Sequence, residues 1–323
     1  MASWAPIFFL CAILPCICAT KICAFNMQHF GEKKVAKDHI LELIVKIVQR
    51  CEVSLLQEVQ DPKGLALSRL LQSLNRAHGK DTFLAVSSPP LGRKSYTEQY
   101  VFIYRSDKAQ ITQQYKYADD DSAAPDVFAR EPYIVRFNLF GKGLRDLVLV
   151  PMHTVPENAS REIDALYDVF LDITGRWDAE VVQEPTRNES ILDLNILFLG
   201  DFNAACSYLS KKKKRTLRLY RDERFHWLID DTTDTTVRDS TSCAYDRIVA
   251  YGKELMANVQ AVGIYNFTKA LGLSEIQALE VSDHYPVELD LNGRNPLLPS
   301  CTLLVLSFLL PMMSWTWAGT PLY

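Results

Sequence analysis

The chain has 323 residues, 48% of them hydrophobic and 23% charged, with a formal net charge of −4. That balance excludes a disordered or fibrous chain and leaves ample material for a large core. The slightly negative total also excludes a global attraction to polyanions, so any such grip must be local.

In chain order the first feature is "APIFFLCAILPCICAT" (5–20), an apolar stretch that ends in small residues. It reads as the hydrophobic region of a secretory signal, with cleavage after Cys18 or Ala19, and a retained N-terminal anchor is the alternative. A signal at 1–19 and a folded body over 20–292 follow. Entry to the endoplasmic reticulum, then the cell surface or secretion, is the expected route.

The body alternates apolar runs. "KICAFN" is a strand, and "GEKKVAKDHILELIVKIVQR" places Val35, Ile40, Leu43, Ile44 and Ile47 on one helical face. "CEVSLLQEV" is the next strand, and "PKGLALSRLLQSLNRA" a helix with Pro62 at its start. Strand runs follow in "FLAVSS", "EQYVFIYR", "YIVRFNLF" and, after a "GKG" turn, "LVLVPMH". "NASREIDALYDVFLDITGRW" is a helix capped by Asn158 or Ser160, and "ILFLGDF", "DRIVAYG" and "YPVELDL" complete the strands. With no linker or repeat between them, these elements predict one α/β domain, a sandwich of mixed β-sheets with helical layers.

After Arg294 there is no Lys, Arg, Asp or Glu. The tail at 293–323 holds an apolar stretch of roughly 17–20 residues, at the short limit for a spanning helix. A glycosylphosphatidylinositol signal with attachment at Asn292, Gly293 or Ser300, a retained membrane anchor and an uncleaved soluble tail all remain open. Three sequons, at Asn158, Asn188 and Asn266, are compatible with glycosylation.

Cys23, Cys51, Cys206 and Cys243 lie in the body. In an oxidising lumen Cys206 and Cys243 can close a loop worth about 3–4 kcal/mol. Cys23 and Cys51 read equally as buried free thiols or as a second bridge. The run "KKKKR" (211–215) is either a solvated loop or a local grip on phosphates.

Chemistry gathers at the strand ends. Asn26 ends the first strand, Glu58 the second, His153 "LVLVPMH", and Asp201 and Asn203 the run "ILFLGDFN"; Glu98 opens "EQYVFIYR", Asp246 precedes "RIVAY", and Asp283 and His284 precede "YPVELDL". Taken singly, each is an ordinary turn former or cap. Their number at strand ends carries the inference, since sites in α/β sheets collect there. Glu58 and neighbouring acids suit Mg²⁺, a hard cation that keeps water and phosphate in its shell. Two histidines, each steadied by a carboxylate, suit general base and general acid roles. Amides such as Asn26 and Asn203 suit donation to phosphoryl oxygens. The set points to metal-assisted phosphodiester hydrolysis.

"AFN", "LLQEV", "PLGRKSYTEQYVFIYR", "FAREPYIVRF", "EIDALYDVFLD", "GDFNAACSYL", "CAYDRIV" and "SDHYPVEL" together resemble the deoxyribonuclease I family over about residues 21–291. "GDFNA" and "SDHYPV" alone would indicate only the wider endonuclease/exonuclease/phosphatase superfamily. The hydrophobic tail narrows the resemblance to a tailed member.

The resemblance implies a four-layer sandwich of two packed mixed sheets flanked by helices. It implies that His153 with Glu98 and His284 with Asp246 share acid and base duty. Glu58, Asp201 and Asp283 then lie at the metal, Asn26, Asn203, Tyr96 and Arg130 lie around the phosphate, and Cys206 pairs with Cys243. It further implies a monomer that cuts DNA with little sequence preference through backbone and minor-groove contacts, leaving 5′-phosphate ends, with catalytic Mg²⁺ and a structural or activating Ca²⁺.

Departures are visible too. The loop "DDDSAAPD" (119–126) lacks the family's second, short-range disulfide, although Asp119 to Asp121 could still serve Ca²⁺. Gln28 and Gln60 stand where the family has DNA-contacting arginines. Ala85 and Ser87 replace larger apolar residues used for actin, so actin binding is expected to be weak or absent. A superfamily phosphoesterase acting on a lipid or small phosphate ester, and a non-catalytic cell-surface binding module, are the rival readings.

Overall fold

A computed structural model describes residues 20–93, 95–119, 126–141, 143–183 and 194–292. Two six-stranded sheets pack face to face. The first contains β1 (Thr20–Phe30), β2 (Val53–Val59), β3 (Phe83–Ser87), β4 (Gln99–Arg105), β11 (Val259–Ile264) and β12 (Val287–Leu291), in the order β11-β12-β1-β2-β4-β3. The second contains β5 (Ala109–Lys116), β6 (Tyr133–Leu139), β7 (Asp146–Pro151), β8 (Ile196–Asp201), β9 (Phe225–Trp227) and β10 (Asp246–Tyr251), in the order β5-β6-β7-β8-β10-β9. Each is mixed: β1 runs parallel to β2 and β7 to β8, while the other pairs are antiparallel.

Strand periodicity explains the uninterrupted apolar runs. In β8, Leu197 and Leu199 join the core between the sheets, while Ile196 and Phe198 join the core under the outer helix. β1 divides likewise: Ile22 and Ala24 face the other sheet, Phe25 and Met27 face helices. With both faces covered, neither can carry a polar residue. Each large side chain so buried contributes roughly 1.5–3 kcal/mol. The helices α1 (Glu32–Val35), α2 (Asp38–Val48), α3 (Leu65–His78), α8 (Phe267–Ala270) and α9 (Glu275–Val281) cover the first sheet. The helix α4 (Ala159–Gln183) covers the second, aided by α6 (Arg218–Arg221). The four-layer sandwich expected from the sequence is what forms.

Several local readings change. The pattern over 31–50 predicts one helix, but Lys37 is extended (φ −86°, ψ 101°) and separates α1 from α2. Asp38 then starts α2 with an acid in the first turn, where the helix dipole favours it. The helix expected to be capped by Asn158 or Ser160 is preceded by a 3₁₀ turn at Pro156–Asn158. Buried Glu162 holds the entry to this helix by accepting from Val155 N and Ala129 N. Edge strands β5, β9 and β11 have no apolar run that announces them; β5 alternates between inward and exposed positions as a one-sided edge must.

Both candidate cysteine pairs are bridged, Cys23–Cys51 and Cys206–Cys243, so the alternative of free thiols at the first pair falls away. Asn158 is exposed, whereas Asn266 is partly buried and caps α8 by accepting from Lys269 N; Asn188 lies outside the described residues. Among the described residues no helix is long and apolar enough to cross a membrane. The segments 1–19 and 293–323 lie outside them.

Strand direction fixes where the chemistry must collect. The C-terminal ends of β1, β2, β7 and β8 coincide with the N-terminal ends of β12, β4 and β10. Two cross-sheet contacts lock that edge: Gln57 Nε2 donates to Met152 O at 2.6 Å, and Asp201 N donates to Gln57 Oε1 at 2.9 Å. At the other end Thr20 pairs with Leu291, about 20 Å from Asn26 at strand rise.

Gly200 makes the Gln57 bridge possible. It sits at φ +126°, and a Cβ there would meet Met152 O at 2.5 Å and the Gln57 side chain at 2.6 Å. Gly200→Ala is expected to cost at least about 1–3 kcal/mol from backbone strain alone. Thermal unfolding should show a fall of several degrees in Tm, and an unchanged Tm contradicts this account.

Candidate active site

Both strands at the middle of the first sheet are bent where they reach the edge. Gln28 and His29 adopt φ of 43° and 60°, Glu58 adopts 54°, and the β1–β2 register shifts between Asn26 and Phe30. Such bulges re-aim side chains beside functional sites. Here they turn Glu58 toward Asn26, whose Nδ2 donates to Glu58 Oε1 at 3.0 Å and to Asp201 Oδ2 at 3.2 Å. One amide thus holds two carboxylates from different sheets. Asn203, also left-handed at φ 48°, donates its backbone N–H to Asp201 Oδ1 at 2.9 Å.

Two imidazoles flank this centre. His153 Nδ1 lies 2.8 Å from Glu98 Oε2, and His284 Nδ1 lies 2.8 Å from Asp246 Oδ2. Their Nε2 atoms each lie 3.7 Å from the same atom, Asp201 Oδ2, and so are no farther apart than twice that distance. His153 Nε2 is also 3.9 Å from Glu58 Oε1, and His284 Nε2 is 3.9 Å from Asp283 Oδ1. Two histidine–carboxylate pairs and the acids Glu58, Asp201 and Asp283 therefore share one cleft.

The charges are strongly coupled. Burial opposes ionisation of Glu98, but the hydrogen bond and charge of His153, together with Arg130, outweigh it and hold its carboxyl down at about 2. Burial likewise opposes the imidazolium of His284, yet the carboxylates of Asp246, Asp201 and Asp283 raise it well above its ordinary value. Tyr96 is pushed above the usual phenol range by burial and by Glu98.

The remaining candidates take specific places. Arg130 places Nε 2.8 Å from Glu98 Oε2 and donates from Nη1 to His153 O at 2.9 Å, so its guanidinium is committed to the dyad. Asn203 donates from Nδ2 to Thr154 O at 3.1 Å. Asn26, Asn203 and Arg130 thus spend these donors on protein oxygens, because buried carboxylates and carbonyls must be satisfied. Tyr96 is 46% exposed at the rim, with its hydroxyl 3.3 Å from His29 Nδ1.

Sequence reasoning missed several supports. Lys34 Nζ donates to the carbonyls of Met27, Gln28 and Val281, each at 2.7 Å, pinning the bend in β1 to the end of α9. Burial lowers its pKa to about 8, while Asp283 and Glu58 resist the fall. The Tyr100 hydroxyl accepts from His153 N at 2.9 Å, and Ser282 Oγ donates to Asn26 O at 2.7 Å while accepting from His284 N at 3.1 Å. A buried amide beside Glu58 in "LLQEV" was the one readable signal, and it marks Gln57.

An all-oxygen set such as Glu58 and Asp201 suits a hard divalent cation. A second grouping brings ligand atoms of Asp201, Asp246 and His284 within 4.8 Å of one another. Asp246 Oδ1 is buried without a partner among the described residues, an atom that a cation or water would satisfy.

The sequence model of the endonuclease/exonuclease/phosphatase family matches residues 23–284. Deoxyribonuclease-1-like 1 of Sus scrofa is 43% identical over 300 residues, covering 92% of this chain and 89% of the relative. Deoxyribonuclease gamma of Homo sapiens is 40% identical over 292 residues, covering 90% and 91%. Among solved structures, a mannosyl-6-phosphatase of Bacteroides thetaiotaomicron superposes with a TM-score of 0.54 at 14% identity, covering 84% of this chain and 99% of that one. That likeness concerns the fold alone.

Because the folded pKa of Glu98 lies below its ordinary 4.5, its stabilisation is complete above that pH and lost as pH falls toward about 2. The shift corresponds to about 3 kcal/mol. Urea unfolding of wild type and Glu98→Gln should therefore differ most at neutral pH and converge on acidification below pH about 4.5. A gap that stays constant across that window contradicts the assignment.

Proposed function

We propose that this chain, which belongs to the endonuclease/exonuclease/phosphatase family and within it to the deoxyribonuclease I family, is a deoxyribonuclease that hydrolyses DNA phosphodiester bonds internally. The single observation that carries the reading is the convergence of His153 Nε2 and His284 Nε2 on Asp201 Oδ2, both at 3.7 Å. A phosphoryl group held there has a proton acceptor and a proton donor within reach. Water adds to phosphorus as one imidazole takes its proton; the ester oxygen leaves as the other imidazole supplies one. Glu98 and Asp246 fix the Nδ1 side of each ring and stabilise the imidazolium that forms or is spent.

Mg²⁺ is the proposed cation, held through Glu58 and Asp201 with Asp283 nearby. Bound there, it would neutralise phosphate charge and make water more acidic. Asn26 keeps the Glu58 and Asp201 carboxylates together. Tyr96, exposed at the rim, is proposed to meet the DNA backbone. Products are proposed to carry 5′-phosphate ends, with little sequence preference.

Two disulfides support passage through an oxidising secretory compartment. Membrane attachment through the tail at 293–323 is proposed; Leu291, the last strand residue before it, lies at the edge opposite the cleft. Asp119 Oδ2 accepts from Val127 N and Phe128 N, and Ca²⁺ is proposed at this loop, whose residues 120–125 lie outside the described ones. A monomer is proposed. Ala85 and Ser87 lie half-buried on the edge strand β3, in keeping with weak or absent actin binding.

Supercoiled plasmid incubated with residues 20–292 and Mg²⁺ should be nicked and then linearised, and chelator should abolish this. His153→Ala should lower kcat by about 10²–10⁴, the usual worth of a positioned proton-transfer group. Intact plasmid together with cleavage of a phospholipid or small phosphate ester overturns the substrate.

A further inference from the structure

The run 211–215 is not one feature. α5 (Lys211–Lys214) starts on a Ser210 cap, and its last lysine turns inward. Lys214 is buried, pairs with Asp231, and sits 4.4 Å over the Trp227 ring and 5.0 Å over Tyr220. Fully buried Arg247 shares the same Asp231 carboxylate at 2.8 Å. Lys214 is therefore a structural cation. Lys211, Lys212, Lys213 and Arg215 are exposed, and none has a carboxylate partner among the described residues.

Their position relative to the cleft follows from two ring contacts. The His284 ring lies 6.3 Å from Tyr245, and Tyr245 lies 5.3 Å from Tyr208, which is 41% exposed. Lys211 follows Tyr208 by three residues, at most about 11 Å along the chain. The run thus lies within about one turn of duplex, roughly 34–36 Å, of the catalytic histidine. Among the described residues the cleft itself offers duplex phosphates few free cations: Arg130 is bound to Glu98, Lys34 to three carbonyls, and Gln28 and Gln60 are neutral. A chain of net charge −4 must supply its attraction locally.

We propose that Lys211, Lys212 and Lys213, with Arg215, form a second phosphate-contacting surface that holds the DNA backbone away from the bond being cut. The proposal rests on the deoxyribonuclease reading and specifies its substrate as an extended duplex, not a short one. Charge complementarity and continuity with the cleft carry it. Lys214 is excluded from the contact because its ammonium is spent on Asp231 and two aromatic faces.

The test uses the full chain carrying His153→Ala, so that duplex is bound without being cut. Kd is measured against salt for duplexes of about 20 bp and about 6 bp, the latter too short to reach a half-turn beyond the cleft. Adding Lys211→Ala, Lys212→Ala and Lys213→Ala should lower the log Kd versus log salt slope by about 2–3 on the long duplex. The short duplex should give the same slope for both proteins. The triple Lys→Arg variant should retain the long-duplex slope, which separates charge from packing. An unchanged slope on the long duplex, or an equal fall on both lengths, overturns the proposal. Plasmid nicking by the unmutated chain is scored separately, so a failure of the nuclease reading is distinguishable from a failure of this surface.

Discussion

The carboxylate of Asp201 is the constraint around which the rest is arranged. It sits at the tip of a strand buried on both faces, where an unpaired charge would be prohibitively costly. One oxygen is met by Asn26 and faces two imidazoles, and the other is met by the Asn203 backbone. Each partner comes from a different strand end, so the site exists only while both sheets stay in register. Gln57 enforces that register by bonding to Met152 O after β7 and to Asp201 N at the end of β8, and Gly200 leaves it the space.

Charge is partitioned as well as balanced. Inside the cleft, carboxylates dominate and the nearby cations are tied down, Arg130 on Glu98 and Lys34 on backbone carbonyls. Such a centre attracts a divalent cation and stabilises imidazolium, but it repels a polyanion until metal is bound. Attraction for a duplex must therefore come from outside the centre, and the exposed lysines of α5 supply the obvious source. Thr20 and Leu291, which pair near the ends of the described body, lie at the edge opposite the cleft.

Much of this was legible in the sequence for a physical reason. A strand covered on both faces has nowhere to put a polar residue except its end, so Asp201, His153 and Glu58 stood out against their apolar runs. Edge strands β5, β9 and β11 carry no such contrast, and they escaped. The supports escaped for another reason: Lys34, Tyr100 and Ser282 act through backbone groups far away in sequence, and nothing local distinguishes them from surface lysine, core tyrosine or a turn serine. Cys23 and Cys51 were ambiguous because a strand and a helix end give no register until folded. Arg130, Asn26 and Asn203 were expected around the phosphate; Asn26 donates to Glu58 and Asp201, Arg130 to Glu98 and His153 O, and Asn203 to Thr154 O, contacts between distant segments that no local pattern announces.

The central claim is that His153 and His284 serve one phosphorus atom. The direct measurement is a double-substitution cycle, kcat/KM for His153→Ala, His284→Ala and the pair together on the same DNA. If both act in one transition state, the pair falls within a few-fold of the slower single variant. Losses that simply multiply would mean two independent sites, and the account would fail.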